Sequence, residues 1–163
     1  MKSIDRLGEI FEFILVDNNR RRVERIKDTL EEANIVPLVI NGGFYCKRTH
    51  IATLETYEKN KLPVIFLDEH FGTNELESGS LICMILREYT DGKGGILFPI
   101  SPLRELQQEK WSKIFKEEEE SWYVEKELHP LLDTFSIENI YGVCTEFLER
   151  REKNEAINEF KNG

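Results

Sequence analysis

Five short apolar runs, at residues 13–16, 36–40, 64–67, 96–100 and 122–124, punctuate this chain, and between the early ones lie stretches whose apolar residues recur at helical spacing. Runs of this length bounded by polar breakers read as buried strands. The intervening stripes are Val23, Ile26, Leu30 and Ala33, then Ile51, Leu54 and Tyr57, then Leu81, Ile82, Ile85 and Leu86. Strand and helix therefore alternate. Parallel neighbours need crossover connections, and helical crossovers cover both faces of a sheet, so the alternation predicts an α/β fold with a mainly parallel sheet. A fourth helix is expected from Pro102, with Ser101 as its N-cap and the proline at the first helical position. A last helix is expected from the stripe Ile137, Ile140, Tyr141, Cys144, Phe147 and Leu148. Beyond Arg151 the chain turns polar, with Ile157 and Phe160 as its apolar residues, so 151–163 reads as a helical extension or linker to a domain spanning 10–150.

At 163 residues the chain fits one domain, and 40% apolar with 33% charged residues suits a folded one. The formal net charge of −9 opposes attraction to phosphate backbones, which comes from clustered Lys and Arg, so direct nucleic-acid binding is not expected. No apolar stretch is long enough to span a membrane and the first residues lack the apolar core of a secretory signal, which predicts a cytoplasmic location without membrane attachment. Cys46, Cys83 and Cys144 are widely spaced and form no CxxC pair, so three buried thiols are expected rather than a disulfide framework or zinc site. The three histidines, His50, His70 and His129, have no ligand spacing either.

In an open parallel sheet, ligands bind beyond the carboxyl ends of the strands. The first strand ends in Val16, Asp17 and Asn18, the third in Leu67, Asp68 and Glu69, the fourth in Ile100 and Ser101, and the fifth carries Tyr123 to Lys126. Acids, an amide, a hydroxyl and an amine are thus gathered at one end. A carboxylate that attacks a phosphoryl group needs a divalent cation to offset the combined negative charge, and Mg²⁺ takes oxygen ligands of the kind Asp17 and Asp68 offer. A lysine ammonium and a hydroxyl can then neutralise the phosphoryl oxygens.

Four segments, FILVDNN (13–19), VIFLDEH (64–70), GILFPIS (95–101) and WYVEKEL (122–128), resemble the receiver domains of two-component response regulators. The resemblance implies a flavodoxin-like, doubly wound five-stranded parallel sheet of order 2-1-3-4-5 in three α/β/α layers. It also implies that Asp68 accepts a phosphoryl group from a histidine kinase or phosphotransfer protein, the enzymology being at most self-phosphorylation from phosphohistidine and autodephosphorylation. Asp17, Asn18, Asp68 and the backbone carbonyl of His70 would hold Mg²⁺. Ser101 would be the switch hydroxyl, Lys126 the phosphate-pairing amine and Tyr123 the aromatic that changes rotamer. A homodimer through the fourth helix, fifth strand and last helix is the further implied partner.

Where the family carries a second acid after the first strand this chain has Asn18, the feature that favours an alternative: a pseudo-receiver that binds a partner protein without being phosphorylated. Pro99 inside the fourth strand, Glu127 after Lys126 and the long segment EHFGTNELESG after Asp68 are further departures from the family pattern. A flavodoxin-like small-molecule binder is a weaker alternative. VIFLDE has the look of a Walker B strand, but neither GGFYCKRT nor GKGG forms the P-loop an ATPase needs, and a haloacid-type phosphatase would want an acid where His70 stands. The run Arg20, Arg21, Arg22 with Arg25 reads as a solvated face of the first helix, or as a docking edge for an acidic partner.

Overall fold

The structure, a computed structural model, describes residues 3–17, 19–40, 60–68, 94–100, 122–125 and 127–162. Five strands, β1 (Phe11–Val16), β2 (Leu38–Ile40), β3 (Leu62–Leu67), β4 (Gly95–Pro99) and β5 (Trp122–Val124), form one sheet in the order β2-β1-β3-β4-β5. Every pairing is parallel. This is the flavodoxin-like, doubly wound arrangement, whose strand order reverses at β1 and β3. A short turn of 3₁₀-helix (Ile4–Arg6) runs into α1 (Leu7–Ile10), ahead of the expected domain start, and buries Leu7 completely. The other described helices are α2 (Arg20–Glu31), the first helix of the sequence reading, and α3 (Ile137–Asn162), the last. The crossover helices expected around 51–57, 81–86 and from Pro102 lie outside the described residues.

One face of the sheet is covered by α2 and α3. Phe11, Phe13 and Leu15 of β1, Val64 and Phe66 of β3 and Ile96 and Phe98 of β4 are buried there with Ile26, Leu30, Ile140, Cys144 and Phe147. Phe11 meets Phe147 of α3 at a ring-centroid distance of 6.3 Å. The alternate residues Ile14, Val16, Ile65, Leu67 and Leu97 are equally inaccessible, so both faces of the sheet are dry, as a parallel sheet requires. Burying each of these large side chains contributes about 1.5–3 kcal/mol. The apolar stripe predicted for the first helix is the one that packs: Ile26, Leu30 and Ala33 are buried and Val23 lies against them. Cys144 is a buried free thiol, and desolvation raises its pKa well above the ordinary value.

Helix ends follow local chemistry. Asn19 is the N-cap of α2, its Oδ1 accepting the Arg22 N–H at 3.0 Å. At the other end Asn34 adopts a left-handed conformation (φ 57°), the Ile35 N–H donates to the Leu30 carbonyl and the Asn34 N–H to that of Glu31. This pair of bonds is the Schellman stop, in which Asn is the usual substitute for Gly. The second strand begins at Leu38, two residues later than the apolar run suggests. Val36 precedes Pro37, which has no N–H to give a ladder, and Val36 is 90% exposed.

The proline inside the fourth run is also accommodated. Pro99 is the last residue of β4, and the register with β5 ends at Leu97 opposite Val124. Adjacent residues point their backbone groups to opposite neighbours, and Ile100 donates to Leu67 of β3, so Pro99 faces the β5 side beyond the paired residues. At the other end of β4, a Cβ on Gly95 would collide with the carbonyl oxygen and ring of Pro63. Gly95→Ala is therefore expected to cost about 1–3 kcal/mol through overpacking. The check is a urea titration, in which the midpoint falls with an unchanged slope; an unmoved midpoint would mean that β3 and β4 do not approach as described.

The 26 residues of α3 make a helix about 39 Å long. It continues unbroken past Arg151, with Arg150 paired to Glu146 at 2.6 Å and Arg151 near Glu155 at 3.8 Å, and Phe160 is 88% exposed. No helix among the described residues is long and apolar enough to cross a membrane.

Candidate functional site

The register between β1 and β3 places Val16 opposite Leu67, so the next residues of the two strands, Asp17 and Asp68, come out side by side at the carboxyl edge. Both are still held by the sheet. The Asp17 N–H donates to the Ile40 carbonyl at 3.2 Å and the Asp68 N–H to the Val16 carbonyl at 2.8 Å. Side chains alternate along a strand, so Asp17 follows Phe13 and Leu15, and Asp68 follows Val64 and Phe66, onto the face covered by α2. There they are almost inaccessible: Asp17 is 0% and Asp68 4% exposed.

Two adjacent buried carboxylates repel and lose their hydration, so they need a counter-charge. Arg22 supplies one. Its Nε donates to Asp17 Oδ2 at 2.8 Å and its Nη2 to Asp17 Oδ1 at 3.0 Å, a bidentate fork, and Nη2 also reaches Asp68 Oδ2 at 3.1 Å. One nitrogen thus touches both aspartates. The guanidinium side chain is 16% exposed. Its hydrogen bonds to Asp17 raise its pKa, burial opposes them, and the charges of Asp17 and Asp68 add to the rise, so Arg22 stays protonated throughout the ordinary pH range. Asp17 Oδ1 additionally accepts the Asn19 N–H at 2.9 Å, which fixes the turn from β1 into α2.

Arg22 is the residue that the sequence reading missed, and its pairing corrects the view of the arginine run as solvated. Arg20 conforms to that view, pairing with Glu24 at the surface. Arg25 spans a longer gap, donating from Nη2 to the Phe135 carbonyl at 3.0 Å and tying α2 to the segment before α3. The spacing alone carries no signal for Arg22: three consecutive residues span about 200° of a helix, which an exposed face can hold, as Asn19, Arg20 and Arg21 do, and which arginine turns inward is set by how the helix packs.

Of the other expected site residues, Asn18, His70, Ser101 and Lys126 lie outside the described residues. Tyr123 sits on β5, against the core cluster but apart from the Asp17, Arg22 and Asp68 contacts. Its hydroxyl donates to Glu125 Oε2 at 3.2 Å and the Arg150 guanidinium lies over its ring at 4.9 Å. Burial and the charges of Glu125 and Glu146 raise its pKa, against the opposing charge of Arg150.

Mg²⁺ is the cation that the sequence leads one to expect beside Asp17 and Asp68. Carboxylate oxygens suit a hard cation, but both oxygens of Asp17 and Oδ2 of Asp68 are engaged by the guanidinium. A dication between the two carboxylates would stand within a few ångströms of a positive charge. In the geometry described the pair does not fit the ion, and among the described residues there is no group of three acids, histidines or cysteines that could hold a metal.

No protein-family model matches this sequence, and no curated protein does. Among solved structures, a low-resolution structure of the response regulator StyR aligns with 94% of this chain at 13% identity and a TM-score of 0.47; this chain spans 66% of that one. The fold assignment stands on strand order and register, independently of that match.

Proposed function

We propose that this chain is a receiver-like domain that works as a protein-interaction module without phosphorylation of Asp68, the pseudo-receiver alternative raised by Asn18. One observation carries this reading: a guanidinium of the chain's own, rather than open oxygen ligands, spans Asp17 and Asp68. A phosphoryl acceptor needs a free carboxylate oxygen and a cation to shield the incoming charge, and the Arg22 fork competes for both. By resemblance, the output face would be formed by the segment from Pro102, β5 and α3, the face on which a second copy would pair.

The second reading, phosphotransfer onto Asp68 from a histidine kinase or phosphotransfer protein with Mg²⁺, is favoured by the position of Asp68. It ends β3 beside Asp17, at the edge of the sheet where ligands of this fold bind. The two separate in one experiment. Incubated with acetyl phosphate and Mg²⁺, the full chain is expected to remain unmodified by intact-mass measurement. A hydroxylamine-labile adduct of one phosphoryl group, lost in Asp68→Asn, would instead establish the phosphotransfer reading.

A further inference from the structure

We propose that Arg22 is the resident counter-ion of this site, doing for Asp17 and Asp68 the charge balancing that a divalent cation would otherwise do, and that its removal uncovers a cation site. The inference rests on the pseudo-receiver reading and goes further by assigning a role to Arg22. It follows from the mismatch between the donor set and Mg²⁺. The two carboxylates are brought together by the register of β1 and β3, not by the arginine, because their backbone N–H groups are bonded to Ile40 and Val16. The arginine is brought by α2, whose start is fixed by Asn19. Two independent elements therefore meet at the site, and deleting the side chain of one leaves the other in place. What remains after Arg22→Gln is a pair of adjacent, inaccessible acids with no positive charge from α2 between them. Such a pair attracts a hard dication, because opposite charge within about 4–6 Å favours the ionised carboxylates strongly.

Both the geometry of the fork and its charge matter. A lysine at 22 would keep the charge as a point and lose the planar two-nitrogen contact, so Arg22→Lys is expected to fall between the parent chain and Arg22→Gln.

The test measures thermal unfolding of the full chain with and without millimolar MgCl₂, alongside MnCl₂ titration followed by water-proton relaxation, with NaCl matched for ionic strength. The parent chain is expected to show no cation-dependent rise in midpoint and no tight Mn²⁺. Arg22→Gln is expected to bind Mn²⁺ more than about tenfold more tightly and to regain midpoint with Mg²⁺, since a ligand that binds the native state alone stabilises it by mass action. The double variant Asp17→Asn/Arg22→Gln should lose that response. Should Arg22→Gln not fold, Arg22→Lys and the parent chain supply the same comparison. An Arg22 variant that folds without gaining Mn²⁺ affinity overturns the inference and leaves the pseudo-receiver reading to the acetyl phosphate experiment. Tight Mn²⁺ binding by the parent chain overturns it too, by showing that the guanidinium does not hold the place.

Discussion

Arg22→Ala is expected to lower the stability of this domain by about 3 kcal/mol, a value at the lower end of what breaking a buried ion pair costs. Arg22 faces two carboxylates, Asp17 at 2.8 and 3.0 Å and Asp68 at 3.1 Å, both nearly inaccessible, so its removal leaves negative charge buried beside negative charge. The Arg22 pKa is raised in the folded state, and a raised value contributes stability that is complete below the unfolded pKa and lost only above it. For an arginine that loss lies beyond ordinary alkaline conditions, so the penalty of Arg22→Ala should be present at neutral pH and stay there as the pH is raised towards 10. For a domain of this size about 3 kcal/mol corresponds to a fall in midpoint of roughly 6–12 °C. Arg20→Ala is the internal control. Arg20 pairs with Glu24 at the exposed surface, where such pairs contribute about 0.2–1 kcal/mol. If the two alanine variants unfold at the same midpoint, the fork to Asp17 and Asp68 does not form in solution.

That contrast within a run of three arginines shows where sequence reasoning reaches and where it stops. The sheet was legible because its strands are short apolar runs: β3 and β4 were placed to within two residues at each end, and β5 to the residue. The start of β1 was cut short because Glu12 interrupts the apolar pattern, although Glu12 pairs with Pro63 in the ladder and its carboxylate lies 4.0 Å from Lys61. Strand order came from resemblance, since apolar runs carry no information about which strand neighbours which. The juxtaposition of Asp17 with Asp68 followed once that order was assumed. Arg22 was illegible for a different reason. A charged residue's partner is set by the rotation of its helix against the sheet, and an arginine at the first turn of a helix reads as unfavourable to the helix dipole unless something negative lies ahead of it. Here Asp17 lies ahead of it, five residues back and folded over the helix start.

Phe66→Ala is expected to cost more, about 3–5 kcal/mol, because it removes the centre of the aromatic cluster that carries the site. The Phe66 ring is stacked on Phe98 of β4 with centroids 4.7 Å apart and planes 13° from parallel, and it meets the edge of Phe135 at 6.0 Å. Phe135 in turn leads into α3 and offers its carbonyl to Arg25 of α2. One ring therefore joins β3, β4 and the segments that bring both helices onto this face. It is 0% exposed, so little of the vacated volume can be refilled from water, and neighbours held in strands relax only in part. Phe66→Leu keeps most of the volume and should cost less, under about 2 kcal/mol. Phe66 lies two residues before Asp68 on the same face, so a collapsed cavity would also draw on the strand end that holds Asp68 against Arg22. Urea unfolding checks the stability values, with Val36→Ala as the reference: Val36 belongs to an apolar run yet is 90% exposed, and its truncation should stay within about 0.5 kcal/mol of the parent. A Phe66→Ala midpoint no lower than that of Val36→Ala would mean that β3 is not the central strand of the core.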